Sequence, residues 1–358
     1  MRPSDLLANA AFAIAMETLG RRAHDRLLAQ AQDPQAAQEA ALRAILAANA
    51  ATEQGQHLGL SRITNADAYR KAVPIHDYED IREQVSRQIA TGATILAPEA
   101  PIMYARSSGT TGAAKYIPVT PGVLTQMRQS QRAMAYAQHK ALRAFSGKVV
   151  GLGGSSSEEI LSGGTPAGAT TGLIYQTMPR FMRAKYVVPP EVFAIEDYGE
   201  KYLAIARLAA CEPNVSAIGT ANPSTVLRLM DVIRNNLADI SNHAPPARAR
   251  ALDILAARGR DLTLADVWPR LRTVITWLGG GCAIAAAAVR DQLPPGAVMV
   301  DAGYVASEVR GTIVMDIKSN LALPMLRDVF FEFVPASAWE SGERNTALLH
   351  ELEVGADY

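Results

Sequence analysis

Ser107-Ser-Gly-Thr-Thr-Gly-Ala-Ala-Lys115 is the stretch that says most about the fold. Its glycines allow close backbone approach to a ligand, and successive backbone N–H groups can form an anion-binding concavity. The four hydroxyl side chains add donors, and the terminal lysine adds a positive charge. It is not a Walker loop, because two alanines separate Gly112 from Lys115. The stretch therefore predicts a loop that binds a polyphosphate, the alternative being a Ser/Gly-rich surface loop.

Strands and helices alternate on both sides of this glycine loop, which is residues 107–115 throughout. Apolar runs bounded by turn residues predict strands at 101–105, 116–119, 148–152, 215–219, 271–278, 297–301 and 329–334. Helical spacing predicts helices between them, from Thr120-Pro121 to about residue 141, and at 202–210, 223–235 and 283–293. Strands separated by helices form parallel or mixed sheets covered on both faces. The sequence therefore predicts an α/β fold with mixed or parallel β-sheets flanked by helices.

The first 95 residues differ from the rest because they are dominated by helix formers. Asp33-Pro34 and Asp77 are each placed to begin a helix. The apolar run 6–19 is too short to cross a bilayer, so we expect an amphipathic helix on the protein body. The organisation predicted is one large domain over residues 1–358, with a helical lead-in over 1–95 and an α/β core over 96–358.

Charge and cysteine content exclude several classes of function. The chain carries 35 basic and 35 acidic residues, so its formal net charge of zero does not indicate nucleic-acid binding or stable membrane insertion. Cys211 and Cys282 lie far apart without the spacing of a metal site. Free cysteines of this kind favour a reducing, cytoplasmic location. The six histidines are scattered singly and suggest neither a zinc site nor a catalytic triad.

Two further segments follow predicted strands and contain residue types suited to ligand binding. Gly303-Tyr-Val-Ala-Ser-Glu308 ends in an acid, and Mg²⁺ prefers one or two carboxylates together with phosphate oxygens. Trp277-Leu-Gly-Gly-Gly281 puts glycines at the end of a strand, where a flat ligand can lie against the backbone. Alone, the first is a surface acid after a strand and the second a strand-to-helix turn. With the glycine loop, they predict a nucleotide site.

The three segments together resemble the acyl-adenylate-forming superfamily, which includes acyl-CoA synthetases, luciferase and the adenylation domains of peptide synthetases. Lys115-Tyr-Ile-Pro-Val-Thr120 and Val73-Pro-Ile-His-Asp-Tyr-Glu-Asp80 narrow the resemblance. Both are similar to the auxin-responsive family of acyl acid–amido synthetases, and in particular to its bacterial relatives. The resemblance extends from about residue 40 to the end of the chain.

The resemblance implies roles for individual residues. Phosphate-binding residues would be Ser107, Ser108, Gly109, Thr110, Thr111, Gly112 and Lys115, with Thr111 and Lys115 acting directly in catalysis. Gly279, Gly280 and Gly281 would line the adenine and acyl sites, and Tyr304 would pack on adenine. Ser307 would contact the α-phosphate and Glu308 would hold magnesium. The segments 151–154 and 170–174 match the region that shapes the acyl site.

The implied reaction uses ATP and Mg²⁺ and has two halves. A carboxylic acid attacks the α-phosphate of ATP to give acyl-AMP and pyrophosphate, and an amine, most simply an amino acid, then attacks the acyl carbon. Three alternatives stay open: thioester formation with CoA, a non-catalytic nucleotide- or acyl-binding fragment, and a phosphotransferase. The family continues into a Tyr-Arg-x-Gly-Asp segment and a C-terminal lid domain, and this sequence stops at Tyr358. We therefore expect weak ATP binding and poor turnover from the chain alone.

Overall fold

The computed structural model describes residues 3–107, 114–257, 262–343 and 345–358, with side chains from residue 7 onward. Its helices are α1 (Pro3–Ala15), α2 (Arg21–Gln30), α3 (Pro34–Asn49), α4 (Glu53–His57), α5 (Ala66–Ala72), α6 (Tyr78–Thr91), α7 (Pro121–Leu142), α8 (Thr170–Gln176), α9 (Arg180–Arg183), α10 (Tyr198–Cys211), α11 (Ser224–Asn235), α12 (Leu237–Asn242), α13 (Pro246–Ala256), α14 (Leu264–Val267), α15 (Ala283–Arg290) and α16 (Ala336–Ser341). Its strands are β1 (Met103–Ser107), β2 (Lys115–Val119), β3 (Lys148–Gly151), β4 (Glu159–Ile160), β5 (Pro166–Gly168), β6 (Val215–Gly219), β7 (Thr273–Thr276), β8 (Val298–Asp301), β9 (Thr312–Asp316), β10 (Leu321–Pro324), β11 (Glu332–Phe333) and β12 (Ala347–Leu348).

Two four-stranded sheets carry the architecture. In the parallel sheet, the strand order is β3-β6-β7-β8 and every neighbouring pair is parallel. In the hairpin sheet, the order is β2-β1-β5-β4, where β1 pairs antiparallel with β2 and parallel with β5. The predicted α/β class with mixed and parallel sheets flanked by helices is therefore confirmed.

The largest core cluster lies around the parallel sheet. Val150, Val215 and Ile218 from its strands pack with Leu229 and Ile233 of α11, all fully buried. These helix positions recur at the spacing that places them on one face of a helix. A sheet buried in this way offers only its strand ends to ligands, which positions the candidate site.

The helical lead-in forms as its capping residues predict. The Asp33 side chain accepts a hydrogen bond from the backbone of Ala36 at 3.0 Å, and Asp77 forms a capping box at the start of α6. Helix α1 is amphipathic, since Phe12 is buried against the body whereas Leu7 is exposed. None of the helices in the described ranges combines the length and apolar character that a membrane span needs.

The strand predicted at 329–334 is wrong in extent, because only Glu332 and Phe333 are in β11. The buried side chain of Gln38 explains the difference. Its amide nitrogen donates to the carbonyl of Val329 at 2.8 Å, and its oxygen accepts from the N–H of Phe331 at 2.8 Å. A side chain thus takes the backbone groups that a longer strand would have paired with a neighbour.

Candidate active site

The carboxyl edge of the parallel sheet brings together segments that are distant in the sequence. Residues 152–154 follow β3, 277–281 follow β7 and 302–310 follow β8. Neighbouring parallel strands end at the same edge, and ligands of open α/β sheets bind in the crevice there. Two of the three segments predicted from the sequence, 277–281 and 303–308, therefore leave adjacent strands of one sheet.

The glycine loop closes the β1–β2 hairpin. Ser107 and Lys115 are its last paired residues, opposite one another in the antiparallel ladder. Residues 108–113 lie outside the described ranges, and so do the predicted phosphate ligands Ser108, Gly109, Thr110, Thr111 and Gly112.

Lys115 lies against helix α6 at the base of this loop. Its Nζ is 5.4 Å from the centre of the Tyr78 ring, and Arg82 lies over the same ring at 4.8 Å. Arg82 donates two hydrogen bonds of 2.7 Å to Glu79, and these hold the pKa of the Glu79 carboxyl below its usual range. Arg82 is therefore neutralised locally, whereas Lys115 forms no ion pair within the described residues and can face an anion.

The two sheets meet at a tightly packed glycine junction. The backbone N–H of Gly154, after β3, donates to Oγ1 of Thr171 in α8 at 3.2 Å. A Cβ on Gly172 would lie 2.7 Å from the carbonyl oxygen of Gly154, so only glycine fits there. Helix α8 follows β5, which runs parallel to β1. The junction therefore sets the base of the glycine loop beside the carboxyl edge of the parallel sheet.

Residues 303–311 form a tight turn, the Tyr304 turn, after β8. The carbonyl of Tyr304 accepts from the N–H of Gly311 at 2.9 Å, and its own N–H donates to Oγ1 of Thr312 at 2.8 Å. The Tyr304 ring covers Gly311 and is 61% exposed. In the middle of the turn, Ser307 is half-buried and Glu308 is exposed. The residues predicted to contact adenine, phosphate and magnesium thus lie in one turn, and none of the three is fully buried.

Asp301, at the end of β8, joins two of the site segments. One carboxylate oxygen accepts from the N–H of Leu278 at 2.9 Å and the other from the N–H of Gly303 at 2.7 Å. The indole N–H of Trp277 also donates to the carbonyl of Gly303 at 3.2 Å. These bonds fix the 277–281 segment against the Tyr304 turn. Sequence reasoning missed Asp301, although its place at a strand end beside Gly303 was a usable signal.

The three glycines at 279–281 are exposed, and a Cβ built on any of them meets no atom within 4 Å. Gly280 adopts a φ of +55°, in the region that favours glycine. Packing against the protein does not account for small residues here, because the space next to them is empty. A flat ligand lying on the backbone would account for them.

An apolar cavity of about 260 Å³ opens at the same edge. Gly153, Gly154, Thr171 and Ile174 line it, so the family-like segments 151–154 and 170–174 contribute to one wall. Tyr186 also lines the cavity, and burial raises the pKa of the Tyr186 hydroxyl to about 12. None of the described residues that line the cavity is acidic.

Arg310, in the Tyr304 turn, brings a cation to this cavity. Its Nη1 donates to the carbonyl of Ala302 at 3.3 Å and lies 3.9 Å from the sulfur of Met134. Burial lowers the pKa of the guanidinium to about 10, so it keeps its charge at neutral pH. No carboxylate within the described residues forms an ion pair with Arg310. A half-buried cation without an anion favours binding of an anionic ligand group. Arg310 follows Glu308 by two positions, a closeness to the predicted metal ligand that could have indicated it.

A magnesium ion fits this edge only with phosphate oxygens as partners. The described residues contain no group of three or more histidine, cysteine, aspartate or glutamate side chains able to hold a metal. Glu308 alone presents an exposed carboxylate at the turn. One carboxylate combined with substrate phosphates is the usual way proteins hold Mg²⁺, so the residues present fit that role.

Comparison with solved structures supports the fold. The chain is similar to the structure described as AtGH3.15 acyl acid amido synthetase in complex with 2,4-DB, with a TM-score of 0.79 and 17% identity over 94% of this chain and 64% of that one. A second structure, GH3.15 acyl acid amido synthetase, gives a TM-score of 0.74 and 18% identity over 92% of this chain and 63% of that one. At these identities, the likeness establishes the fold.

Sequence comparison identifies the family to which the chain belongs. The jasmonoyl–L-amino acid synthetase GH3.5 of Oryza sativa subsp. japonica is 28% identical over 147 residues, which are 40% of this chain and 25% of that protein. The chain thus spans less than two thirds of the length of these relatives. The family described as GH3 family N-terminal domain matches residues 23–244, more than half of the chain. The chain therefore belongs to the GH3 family.

Proposed function

We propose that this chain binds ATP and a carboxylic acid, joins them as acyl-AMP, and passes the acyl group to an amine to form an amide. One observation carries the proposal: an apolar cavity without acidic lining residues contains Arg310, a half-buried arginine of the Tyr304 turn without an ion pair, at the sheet edge where the glycines at 279–281 also lie. An apolar acid requires such a cavity, and its carboxylate requires such a cation. Membership of a family whose named relatives are acyl acid amido synthetases adds support.

The acid is bound with its apolar part in the cavity and its carboxylate at Arg310. The carboxylate oxygen then attacks the α-phosphorus of ATP and pyrophosphate leaves. This step needs two anions in contact, so the chain's part is to hold them in line and to offset their repulsion. Arg310 does so on the acid side, where burial strengthens its field.

The glycine loop acts on the nucleotide side. Ser107, Ser108, Thr110 and Thr111 donate hydroxyl hydrogen bonds to phosphate oxygens, and Gly109 and Gly112 let the backbone approach them. Lys115 adds a positive charge and forms no ion pair with a carboxylate of the described residues. Tyr304 packs on adenine beside Gly279, Gly280 and Gly281, and Ser307 contacts the α-phosphate. Glu308 would hold Mg²⁺, which offsets negative charge on the phosphates when bound.

In the second half-reaction, the nitrogen of an amine, most simply an amino acid, attacks the acyl carbon and AMP leaves. The printed names of relatives support this acceptor, since one is a jasmonoyl–amino acid synthetase and another an acyl acid amido synthetase. We also propose that residues 1–358 act as one large domain, with 1–95 as its helical lead-in.

Exchange of labelled pyrophosphate into ATP tests the proposal. A panel of aliphatic and aromatic monocarboxylic acids is offered to the protein with ATP and Mg²⁺, and acid-dependent exchange is expected. Lys115→Met and Glu308→Gln should each lower it about 100-fold, the usual cost of removing a group that stabilises developing charge. Lys140→Met, at an exposed position of α7, is the matched control and should match wild type. Release of ADP with phosphate transfer would overturn adenylation.

A further inference from the structure

Tyr78, at the start of α6, joins that helix to the strand that follows the glycine loop. Its side chain is buried, and its hydroxyl oxygen accepts a hydrogen bond from the N–H of Tyr116 at 2.8 Å. Because β2 lies at the edge of the hairpin sheet, a side chain rather than another strand fills this place. Tyr116 directly follows Lys115, whose backbone pairs with Ser107 in the β1–β2 ladder. The Tyr78 ring is therefore held in a fixed position beside the Lys115 backbone.

The ring of Tyr78 also lies next to the Lys115 ammonium. The distance of 5.4 Å between Nζ and the ring centre is within the range of a cation–π contact. An aromatic ring carries no net charge, so this contact leaves the positive charge of Lys115 in place. A phosphate oxygen attracts an ammonium more strongly than a ring does. Lys115 can therefore leave the ring for a phosphate, provided that no carboxylate pairs with it first.

Glu79, next to Tyr78 on α6, is the carboxylate that competes for Lys115. Arg82 lowers the pKa of the Glu79 carboxyl, and the positive charge of Lys115 acts on it in the same direction. Arg82 engages both carboxylate oxygens, since Nε donates to Oε2 and Nη2 to Oε1, each at 2.7 Å. A planar fork of this kind matches the shape and the charge of a carboxylate. With Arg82 in place, Glu79 is occupied and Lys115 lies on the ring.

We infer that Arg82 is a positioning residue that keeps Lys115 available to ATP by occupying Glu79, while Tyr78 supplies a neutral place for the ammonium. The inference rests on the proposed function, because it takes Lys115 to bind a phosphate of ATP. Without Arg82, Glu79 is free to pair with Lys115, and a phosphate must then break that ion pair. The loss of Arg82 should therefore act on ATP binding through two other residues, which an ordinary ion pair on a helix surface would not do.

Equilibrium dialysis of the whole chain against ATP and Mg²⁺, without any acid, tests the inference. At low ionic strength, where exposed charges are least screened, Arg82→Met should weaken ATP binding about fivefold, the upper range for an exposed ion pair. Adding Glu79→Gln to this variant should restore wild-type affinity, because no carboxylate is left to pair with Lys115. Arg87→Met is the matched control, since it removes a bidentate pair with Glu53 from the same helix and should leave ATP binding unchanged.

A double-mutant cycle shows whether Arg82 acts through the lysine. In a Lys115→Met background, Arg82→Met should change ATP affinity by less than about 1.5-fold, because the two effects are coupled. A fivefold loss that persists in this background, or that Glu79→Gln does not restore, would overturn the inference. Either result is expected if Arg82 binds ATP itself, or acts only through its hydrogen bond of 3.4 Å to the carbonyl of Ala114.

These titrations contain no acid, so they are independent of adenylation. The expected pattern of ATP affinities, found together with no acid-dependent pyrophosphate exchange, would support this inference and overturn the proposed function alone. Acid-dependent exchange, found together with wild-type ATP affinity in Arg82→Met, would overturn this inference alone.

Discussion

Gln38 on α3 and Gln138 on α7 are both buried, yet their surroundings differ. The Gln38 amide donates to the carbonyls of Leu326 and Val329 and accepts from the N–H of Phe331, at 2.7 to 2.8 Å. The Gln138 amide has no partner. The first joins the helical lead-in to the chain near β11, and the second borders the cavity. The same type of side chain is thus fully hydrogen-bonded in one region and lacks hydrogen-bond partners in the other.

Two glycines also differ in whether the surrounding protein explains their residue type. Gly172, at the junction of the two sheets, has backbone atoms where a Cβ would be, whereas Gly279 has empty space there. Gly172 is explained by what the protein already contains, and Gly279 is not. The surrounding protein therefore explains why Gly172 is a glycine but not why Gly279 is. Gly279 lies at the carboxyl edge of the parallel sheet, where the site is proposed.

Substituting the two glutamines by leucine should change stability in opposite directions. Gln38→Leu leaves two carbonyls and one N–H without partners, so the free energy of unfolding should fall by about 3 kcal/mol. Gln138→Leu removes a buried amide that bonds to nothing, so the free energy of unfolding should rise by about 1 kcal/mol. Urea unfolding of both variants measures this. Destabilisation by Gln138→Leu comparable to that of Gln38→Leu would break the distinction.

Alanine substitutions at the two glycines should affect different properties: stability at Gly172 and ATP binding at Gly279. Gly172→Ala forces a methyl group into the backbone near Gly154, and the free energy of unfolding should fall by about 2 to 3 kcal/mol. The helix-propensity gain of alanine, up to about 1 kcal/mol, is too small to compensate. Gly279→Ala should change stability by less than about 0.5 kcal/mol and weaken ATP binding. Equal thermal shifts in the two variants, with ATP binding unaffected, would contradict this reading.

Arg310 should matter for the acid rather than for the fold. Arg310→Met keeps an apolar side chain against Met134 and removes the charge, so acid affinity should fall about 30-fold, equal to about 2 kcal/mol. Stability should decrease by no more than about 1 kcal/mol, because the arginine has only its hydrogen bond to the carbonyl of Ala302, and no ion pair, to lose. Direct titration of acids measures the first effect and urea unfolding the second. Unchanged acid affinity would place the carboxylate elsewhere.

The smallest expected effect concerns His139, which follows Gln138 but points elsewhere. Its ring lies edge-on to Phe12 at 5.6 Å, and burial lowers its pKa below the ordinary 6.5. The unfolded chain therefore gains a proton on this group at higher pH than the folded chain does. The free energy of unfolding should decrease as pH falls below about 6.5, and His139→Phe should show a shallower decrease. Identical pH slopes in the two proteins would refute this assignment.

The sequence predicted the features that depend on local residue patterns. Strands β6 and β8, the caps at Asp33, Asp77 and Thr120, and the position of 277–281 after a strand all follow from short runs of residue types. The roles of Lys115 and Glu308 in ligand binding stay predictions.

The cavity could not be predicted in this way, because its walls come from distant parts of the chain. Gln138 is an ordinary polar helix former, and only the structure reveals that it is buried. The strand-end position of Asp301 is visible in the sequence, but its bond to the N–H of Leu278 depends on the packing of two strands. The resemblance to a family indicated that an acyl site exists, but not which side chains close it.

Oxygen transfer from the acid to AMP tests the central claim most directly. The protein is supplied with ATP, Mg²⁺, an amino acid and a carboxylic acid labelled with ¹⁸O in its carboxylate, and the AMP formed is analysed by mass spectrometry. If acyl-AMP forms and the amine expels AMP, one labelled oxygen must leave in the phosphate of AMP. Label in inorganic phosphate with release of ADP, or amide formed with unlabelled AMP, would contradict the account.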